Sequence, residues 1–315
     1  MPAARPRIAI VIPVFNEEAV LPELFRRLDA VFATRPDVDW LTVFANDGSR
    51  DRSGALLAAR AASVPGTRVL ELSRNFGHQS ALAAGLAHAA DADAAITMDA
   101  DMQDPPELIP QLVDAWRGGA EVVLAVRRSR AEGGLRRLGF DAFHALYGRL
   151  TDFHFENNTG TFGLLNRAAV EAFNSLPEKH RFFPGLRAWI GFTPAEILYD
   201  RQERAAGQPA QTFRRLVRYA LDGVFSFSYL PLRLLTYCGV LVGSSGFLLG
   251  LYYVIKRLIH VETAPTGFTT LAILVLFLGG VQLIGIGVLG EYLGRVYDEV
   301  KRRPNYIIRR KTGCD

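Results

Sequence analysis

From Arg7 to Val126, short apolar runs rich in β-branched residues alternate with helix-length amphipathic segments, the order expected of βα units around a largely parallel sheet. Five strands are predicted: Ile8–Val14, Leu41–Ala45, Arg68–Leu72, Ala94–Met98 and Val122–Val126. Each is followed by polar or glycine residues. Ligands of open α/β sheets bind at the carboxyl ends of strands, so the chemistry is expected in those following segments. After the first strand, Val20, Leu21, Leu24, Leu28, Val31 and Phe32 recur at helical spacing and mark a helix face turned to the core.

Beyond the fifth strand the periodicity fades. Residues 127–210 hold Gly133-Gly134, the run from Asn157 to Thr161, Pro184-Gly185 and Gly207-Gln208-Pro209. They read as loops and short helices around a site, where an acceptor would be recognised. Residues 211–232 are basic and aromatic, with Arg214, Arg215, Arg218, Phe225 and Tyr229, a composition suited to an amphipathic helix among lipid head groups. No charged residue occurs between Arg233 and Lys256 or between Glu262 and Glu291, and both stretches reach the roughly 20 residues of a bilayer-spanning helix. The expected organisation is therefore a catalytic domain over 1–210, an interfacial segment over 211–232, a transmembrane hairpin over 233–293 with spans near 234–256 and 267–290, and a basic tail over 294–315.

Charge sharpens this division. Residues 201–315 carry 15 Lys and Arg against 7 Asp and Glu, whereas the first 200 residues are slightly acidic. A basic region interleaved with long apolar runs suits anionic lipid head groups better than nucleic acid, which is not expected as a partner. Two spans return the chain to its starting side. Lys301, Arg302, Arg303, Arg309, Arg310 and Lys311 then place the catalytic domain and tail on the cytoplasmic face of the inner membrane. Cys238 and Cys314 lie too far apart in sequence to imply a disulfide framework or a zinc site, which fits a reducing compartment.

The strongest chemical signal is the fourth strand running into Asp99-Ala100-Asp101-Met102-Gln103-Asp104. Carboxylates at i and i+2 on an extended end bracket one hard cation, and oxygen donors suit Mg²⁺ or Mn²⁺. Asp101 is the primary candidate ligand, with Gln103 and Asp99 assisting. A D-x-D triplet alone is more often a solvated turn than a metal site, so its context decides. That context is Asn46-Asp47-Gly48-Ser49 after the second strand and the run from Pro13 through Phe15 to Glu17 after the first. Asp47 is a candidate acceptor for the imide of a uracil ring, Phe15 a candidate to pack beside the base, and Glu17 a contact to base or ribose. Ser73-Arg74-Asn75-Phe76-Gly77 follows the third strand and is expected to close the nucleotide site, with Gly77 supplying an unusual backbone angle. His78 is set aside as a structural residue at a helix start.

With these residues in view, Val11–Glu18, Asn46–Asp51, Ser73–Gly77 and Met98–Glu107 resemble the signature segments of glycosyltransferase family 2. Arg127-Arg128-Ser129-Arg130, His180–Phe192, Leu221–Leu232 and Gly290–Tyr306 are similar to the polyprenyl-phosphate glycosyltransferases of bacteria, membrane-anchored enzymes like dolichol-phosphate mannose synthase. The resemblance implies a GT-A type domain and a membrane hairpin. It also implies inverting, metal-dependent transfer of a sugar from a nucleoside-diphosphate sugar to undecaprenyl phosphate, often in a tetramer. UDP-glucose is the first expectation for the donor, ahead of a UDP-N-acetylhexosamine or GDP-mannose. Asp101 and Arg127 are then the expected catalytic residues. Pro13, Phe15, Glu17, Asp47, Asn75, Gly77 and Asp99 are expected at the nucleotide, and Arg127, Arg201 and Arg204 at the acceptor phosphate.

Two departures stand out. Thr161 and Gly163 occupy positions where relatives commonly show an acidic residue and an arginine, and Gln208-Pro209-Ala210-Gln211 replaces an expected serine-lysine pair. A phosphate acceptor has a second pKa of about 6 and is largely dianionic at neutral pH, so it needs alignment and charge neutralisation more than a base. A bidentate arginine supplies both. Two competing readings are a processive polysaccharide synthase and an inactive scaffold or sugar-nucleotide sensor. The first lacks its usual Gln-x-x-Arg-Trp motif here, and the second would not need the intact acidic cluster.

Overall fold

Strands from both ends of the chain complete one mixed sheet. The structure, a computed structural model, describes residues 5–128, 159–179, 181–200, 230–259 and 267–314. Its strands are β1 (Arg7–Val14), β2 (Asp39–Asn46), β3 (Thr67–Leu72), β4 (Ala94–Thr97), β5 (Val122–Arg127), β6 (Thr159–Asn166), β7 (Pro194–Tyr199) and β8 (Ile308–Thr312). They lie in the order β7-β5-β6-β4-β1-β2-β3-β8.

The five predicted strands are all present, each within two residues of its expected bounds. The sheet is mixed, however, where a largely parallel one was expected. β1 pairs in parallel with β2 and β4, β2 with β3, and β5 with β7. β6 is antiparallel to both its neighbours, β4 and β5, and β8 is antiparallel to β3. The carboxyl ends of β1–β5 and β7 thus share one edge of the sheet, and the amino end of β6 joins them there. That inversion carries Thr161 to the expected site.

Helices pack on the sheet through the stripes visible in the sequence. α1 (Leu21–Thr34) has a proline in its first turn and buries Leu21, Leu24, Leu28 and Val31. α2 (Ser53–Ser63) buries Leu57, and α3 (His78–Ala87) buries every residue from Ala81 to Leu86. α4 (Ile109–Arg117), α5 (Arg167–Ser175) and α6 (Phe183–Trp189) complete this unit. The central β1 strand is buried from Ile8 to Val14, as a strand covered on both faces must be. Pro13 pairs with Ala45 and stands past the last β1–β4 pair, Val11↔Thr97, where its missing N–H costs no ladder bond.

The region read as loops and short helices over 127–210 supplies two strands of the main sheet, β6 and β7. Glycine-rich Thr159-Gly160-Thr161-Phe162-Gly163 does not look like a strand locally; pairing on both sides makes it one. The basic tail is also more than a tail, because residues 303–314 belong to the same compact unit as the sheet and contribute β8.

A second unit holds α7 (Leu230–Leu258) and α8 (Phe268–Val300), 29 and 33 residues long. At 1.5 Å per residue each exceeds the ~30 Å hydrocarbon core of a bilayer. Leu232–Leu249 and Phe277–Val300 have mean hydropathies of 1.5 and 1.4, and large apolar side chains such as Leu241, Phe247, Leu283 and Ile284 are exposed. Gly285 backs onto the Leu235 side chain, so the two helices touch at a small residue. The interfacial segment expected over 211–232 falls outside the described residues up to position 229.

Candidate active site

Side chain to backbone hydrogen bonds hold three turns together at the shared carboxyl edge, and a fourth joins them through side chains. Asn16 N–H donates to Ser49 Oγ at 3.0 Å, Glu17 N–H to Ser53 Oγ at 2.9 Å, and Arg50 N–H to Asn16 Oδ1 at 2.8 Å. The β1 and β2 turns therefore form one body, with Asn16 in the left-handed region at φ 56° and Phe15 43% exposed beside it. Glu17 is half-buried there.

Asp47 fastens a third turn to these two. Its side chain is only 2% exposed, and its two oxygens accept the backbone N–H groups of Phe76 at 2.7 Å and Gly77 at 2.9 Å. Burial raises its pKa, partly offset by those two hydrogen bonds. Gly77 has φ 95° at the start of α3, the backbone freedom expected of it. Asn75 is exposed in the same turn, and the Arg74 guanidinium lies over the Phe76 ring at 4.5 Å.

The fourth turn carries the acidic cluster. Asp99, Asp101 and Gln103 are all half-buried, alternating with buried Ala100, Met102 and Asp104. Asp101 Oδ1 accepts the Gln103 N–H at 3.2 Å. Met102 sits between them at φ 57°, a backbone conformation costly for a non-glycine residue. Arg27 of α1 braces it: the guanidinium pairs with both Glu107 carboxylate oxygens and lies 3.8 Å from the Met102 sulfur.

Asp99 gathers two partners on one oxygen, Oδ1: His78 Nε2 at 2.9 Å and the Thr161 hydroxyl, which donates at 3.0 Å. Burial opposes ionisation of Asp99. The His78 and Thr161 bonds and the Arg127 charge outweigh it, and the carboxyl lies below its ordinary range. Burial likewise works against the His78 charge, and the Asp99 carboxylate outweighs it and raises the pKa. His78, set aside from sequence as structural, thus touches the acidic cluster. Thr161 stands against the same carboxylate as a neutral donor.

Arg127 ends β5 beside this cluster. Its Nε donates to the Tyr199 hydroxyl at 3.0 Å and its Nη2 lies 3.5 Å from Asp104 Oδ1. Burial disfavours its charge, but Asp104 and Tyr199 more than compensate and it stays cationic. Arg201 and Arg204, expected at the acceptor phosphate, lie outside the described residues. Neither Tyr199 nor Asp104 was a sequence candidate. Asp104 could have been suspected from the acidic run, but nothing marks Tyr199, because β7 itself has no local signal.

Among the described residues no group of three or more His, Cys, Asp and Glu gathers that would hold an ion unaided. The donors at the β4 turn are two carboxylates and an amide, all hard oxygens. They fit an ion such as Mg²⁺ that is held by one or two carboxylates and completes its shell with substrate phosphates and water.

Comparison with known proteins places this architecture. The family model described as "Glycosyl transferase family 2" matches residues 9–173, and that described as "GtrB C-terminal hairpin" matches residues 230–296. The SfII prophage-derived bactoprenol glucosyl transferase of Shigella flexneri is 42% identical over 306 residues, covering 96% of this chain and 98% of its own. A prophage bactoprenol glucosyl transferase homolog of Escherichia coli strain K12 is 41% identical over 305 residues, covering 96% and 99%. An uncharacterized glycosyltransferase of Synechocystis is 43% identical over 302 residues, covering 96% and 94%.

Proposed function

Since the chain belongs to glycosyl transferase family 2, we propose that it transfers one glucosyl group from UDP-glucose to undecaprenyl phosphate at the cytoplasmic face of the inner membrane, with Mg²⁺ or Mn²⁺ as cofactor. The lipid acceptor and the sugar follow relatives named bactoprenol glucosyl transferases that match nearly the full length of this chain. The observation that carries the reading is the meeting of two opposite charges at one sheet edge. Asp99, Asp101 and Gln103 stand at the end of β4, and the Arg127 cation stands at the end of β5.

In this reading Phe15, Glu17, Asp47, Asn75 and Gly77 form the nucleotide side, with Pro13 fixing the strand beneath them. Asp101, Gln103 and Asp99 would hold the metal, which when bound neutralises charge on the departing diphosphate. Arg127, with Arg201 and Arg204, takes the acceptor phosphate. A phosphate oxygen of the acceptor forms the new bond to the anomeric carbon as the bond from that carbon to the diphosphate breaks on the opposite face. UDP leaves with the electron pair and the anomeric configuration inverts. The acceptor is already ionised, so Thr161 in place of an acid leaves no proton stranded. Its hydroxyl instead orients Asp99.

The anchoring part of the proposal is supported by chain connectivity. β7 precedes α7 in the chain and β8 follows α8, and both strands belong to the sheet unit, which favours an even number of crossings. The test is a membrane preparation supplied with undecaprenyl phosphate, Mg²⁺ or Mn²⁺ and radiolabelled UDP-glucose. One sugar per extractable lipid is expected. A ladder of longer products would point instead to processive synthesis, and no lipid product across a panel of nucleotide sugars would defeat the proposal.

A further inference from the structure

Three side chains distant in sequence meet at the carboxyl edge of β5 and β7. Arg127 and Tyr199 are register partners at the ends of these parallel strands, so their side chains leave the sheet on one face and at one level. The Tyr199 hydroxyl uses both of its hydrogen-bonding capacities, donating to Asp104 Oδ1 and accepting from Arg127 Nε at 3.0 Å. Arg127 Nη2 lies 3.5 Å from that same Asp104 oxygen. Asp104 and Tyr199 are buried, while the Arg127 side chain is 27% exposed. The group is therefore closed at its acidic end and open at its cationic end.

The surroundings leave Tyr199 and Arg127 little freedom. The Tyr199 ring meets Phe162 edge-on, with centroids 6.0 Å apart. A Cβ on Gly160 would stand 2.8 Å from Arg127 Nη2, so the guanidinium lies directly over the β6 backbone, one residue from Thr161. A free arginine side chain has several rotatable bonds and correspondingly large rotamer entropy. Here most of it is surrendered on folding, before a ligand arrives, which is how a site gains rate from orientation.

We infer that Tyr199, backed by Asp104, is a positioning residue for Arg127. The phenol fixes the guanidinium, and Asp104 serves as the counter-ion of that arginine instead of joining Asp99 and Asp101 at the cation. This rests on the phosphate-binding role proposed above for Arg127.

The experiment is a double-mutant cycle on the full-length, detergent-solubilised protein: wild type, Tyr199→Phe, Arg127→Ala and the double variant. Two readouts are taken, Kd for farnesyl phosphate by calorimetry and kcat/KM for undecaprenyl phosphate with UDP-glucose. Tyr199→Phe is expected to cost about tenfold in wild type and less than about twofold once Arg127 is absent, the non-additivity of residues acting as a unit. Its half-saturating Mg²⁺ concentration is expected to stay within about twofold of wild type. Losses that multiply, no loss from Tyr199→Phe, or a shifted Mg²⁺ requirement each overturn the inference. If Arg127→Ala changes neither readout, the phosphate role of Arg127 fails, and that outcome is distinct. Thermal unfolding checks each variant. Should Tyr199→Phe not fold, Asp104→Asn takes its place in the same cycle under the same criteria.

Discussion

The carboxylate of Asp47 accepts the backbone N–H of Gly77 at 2.9 Å and so ties the turn after β3 to the end of β2, with the Phe76 N–H held at 2.7 Å by its other oxygen. Replacing it by alanine leaves two donors without this acceptor beneath a buried position. A loss of about 3 kcal/mol is expected from unsatisfied buried groups. Asp47→Asn keeps one acceptor and should lose less. Urea denaturation of the two variants checks the order, and calorimetric titration with UDP checks that nucleotide affinity falls with it.

Asp101 is half-buried and bonded to its own turn through the Gln103 N–H, so Asp101→Ala should fold normally. Loss of a metal-held charge on the leaving diphosphate is worth several kcal/mol, which corresponds to a fall of about 100-fold or more in transfer. Chelation of the wild-type enzyme by EDTA should produce a similar loss, restored by Mg²⁺ or Mn²⁺. Undiminished transfer by Asp101→Ala in the radiolabel assay would remove the metal role.

The pH dependence has a definite sign. Burial of Asp99 is outweighed by its bonds to His78 and Thr161 and by Arg127, so its carboxyl is depressed. A depressed carboxyl stays ionised above its ordinary value of about 4, and its own contribution is lost as pH falls through the depressed value below that. The acceptor phosphate gains its second charge near about pH 6. The acceptor kcat/KM is therefore expected to climb up to tenfold per unit below about pH 6 and to level off above it. Asp99→Asn should lower the plateau without moving the limb. A pH–rate profile flat from about 5 to 8 would contradict a dianionic nucleophile.

β8 covers the edge of β3, pairing Leu70 with Lys311 and Glu71 with Arg310, whose guanidinium is 2.5 Å from Glu71. Arg309 also donates to the Ser73 carbonyl at 3.0 Å, at the start of the turn that Asp47 holds. Deleting residues 306–315 uncovers the edge of β3, a template for aggregation. A cost of about 3 kcal/mol, or roughly 5–10 °C in Tm, is expected from the lost ladder and side-chain bonds. Differential scanning fluorimetry measures it, and light scattering reports the exposed edge.

The sequence by itself determined the elements whose signal is local. Alternating apolar runs located β1–β5, because a strand buried on both faces must be apolar wherever it pairs. Helical spacing located α1, and the uncharged stretches within α7 and α8 announced themselves by length alone. The acidic turn after β4 was legible for the same reason, since its donors are neighbours in sequence. Only the tertiary structure decided what depends on partners far along the chain. β6 is glycine-rich, and pairing with β4 and β5 makes it a strand. β8 reads as a basic tail until β3 gives it an edge. His78 joins Asp99 across 21 residues, Arg127 joins Tyr199 across 72, and Tyr199 joins Asp104 across 95. Such contacts leave no period in the sequence, because they are selected by where the strands end in space and by the cost of burying a charge without a partner.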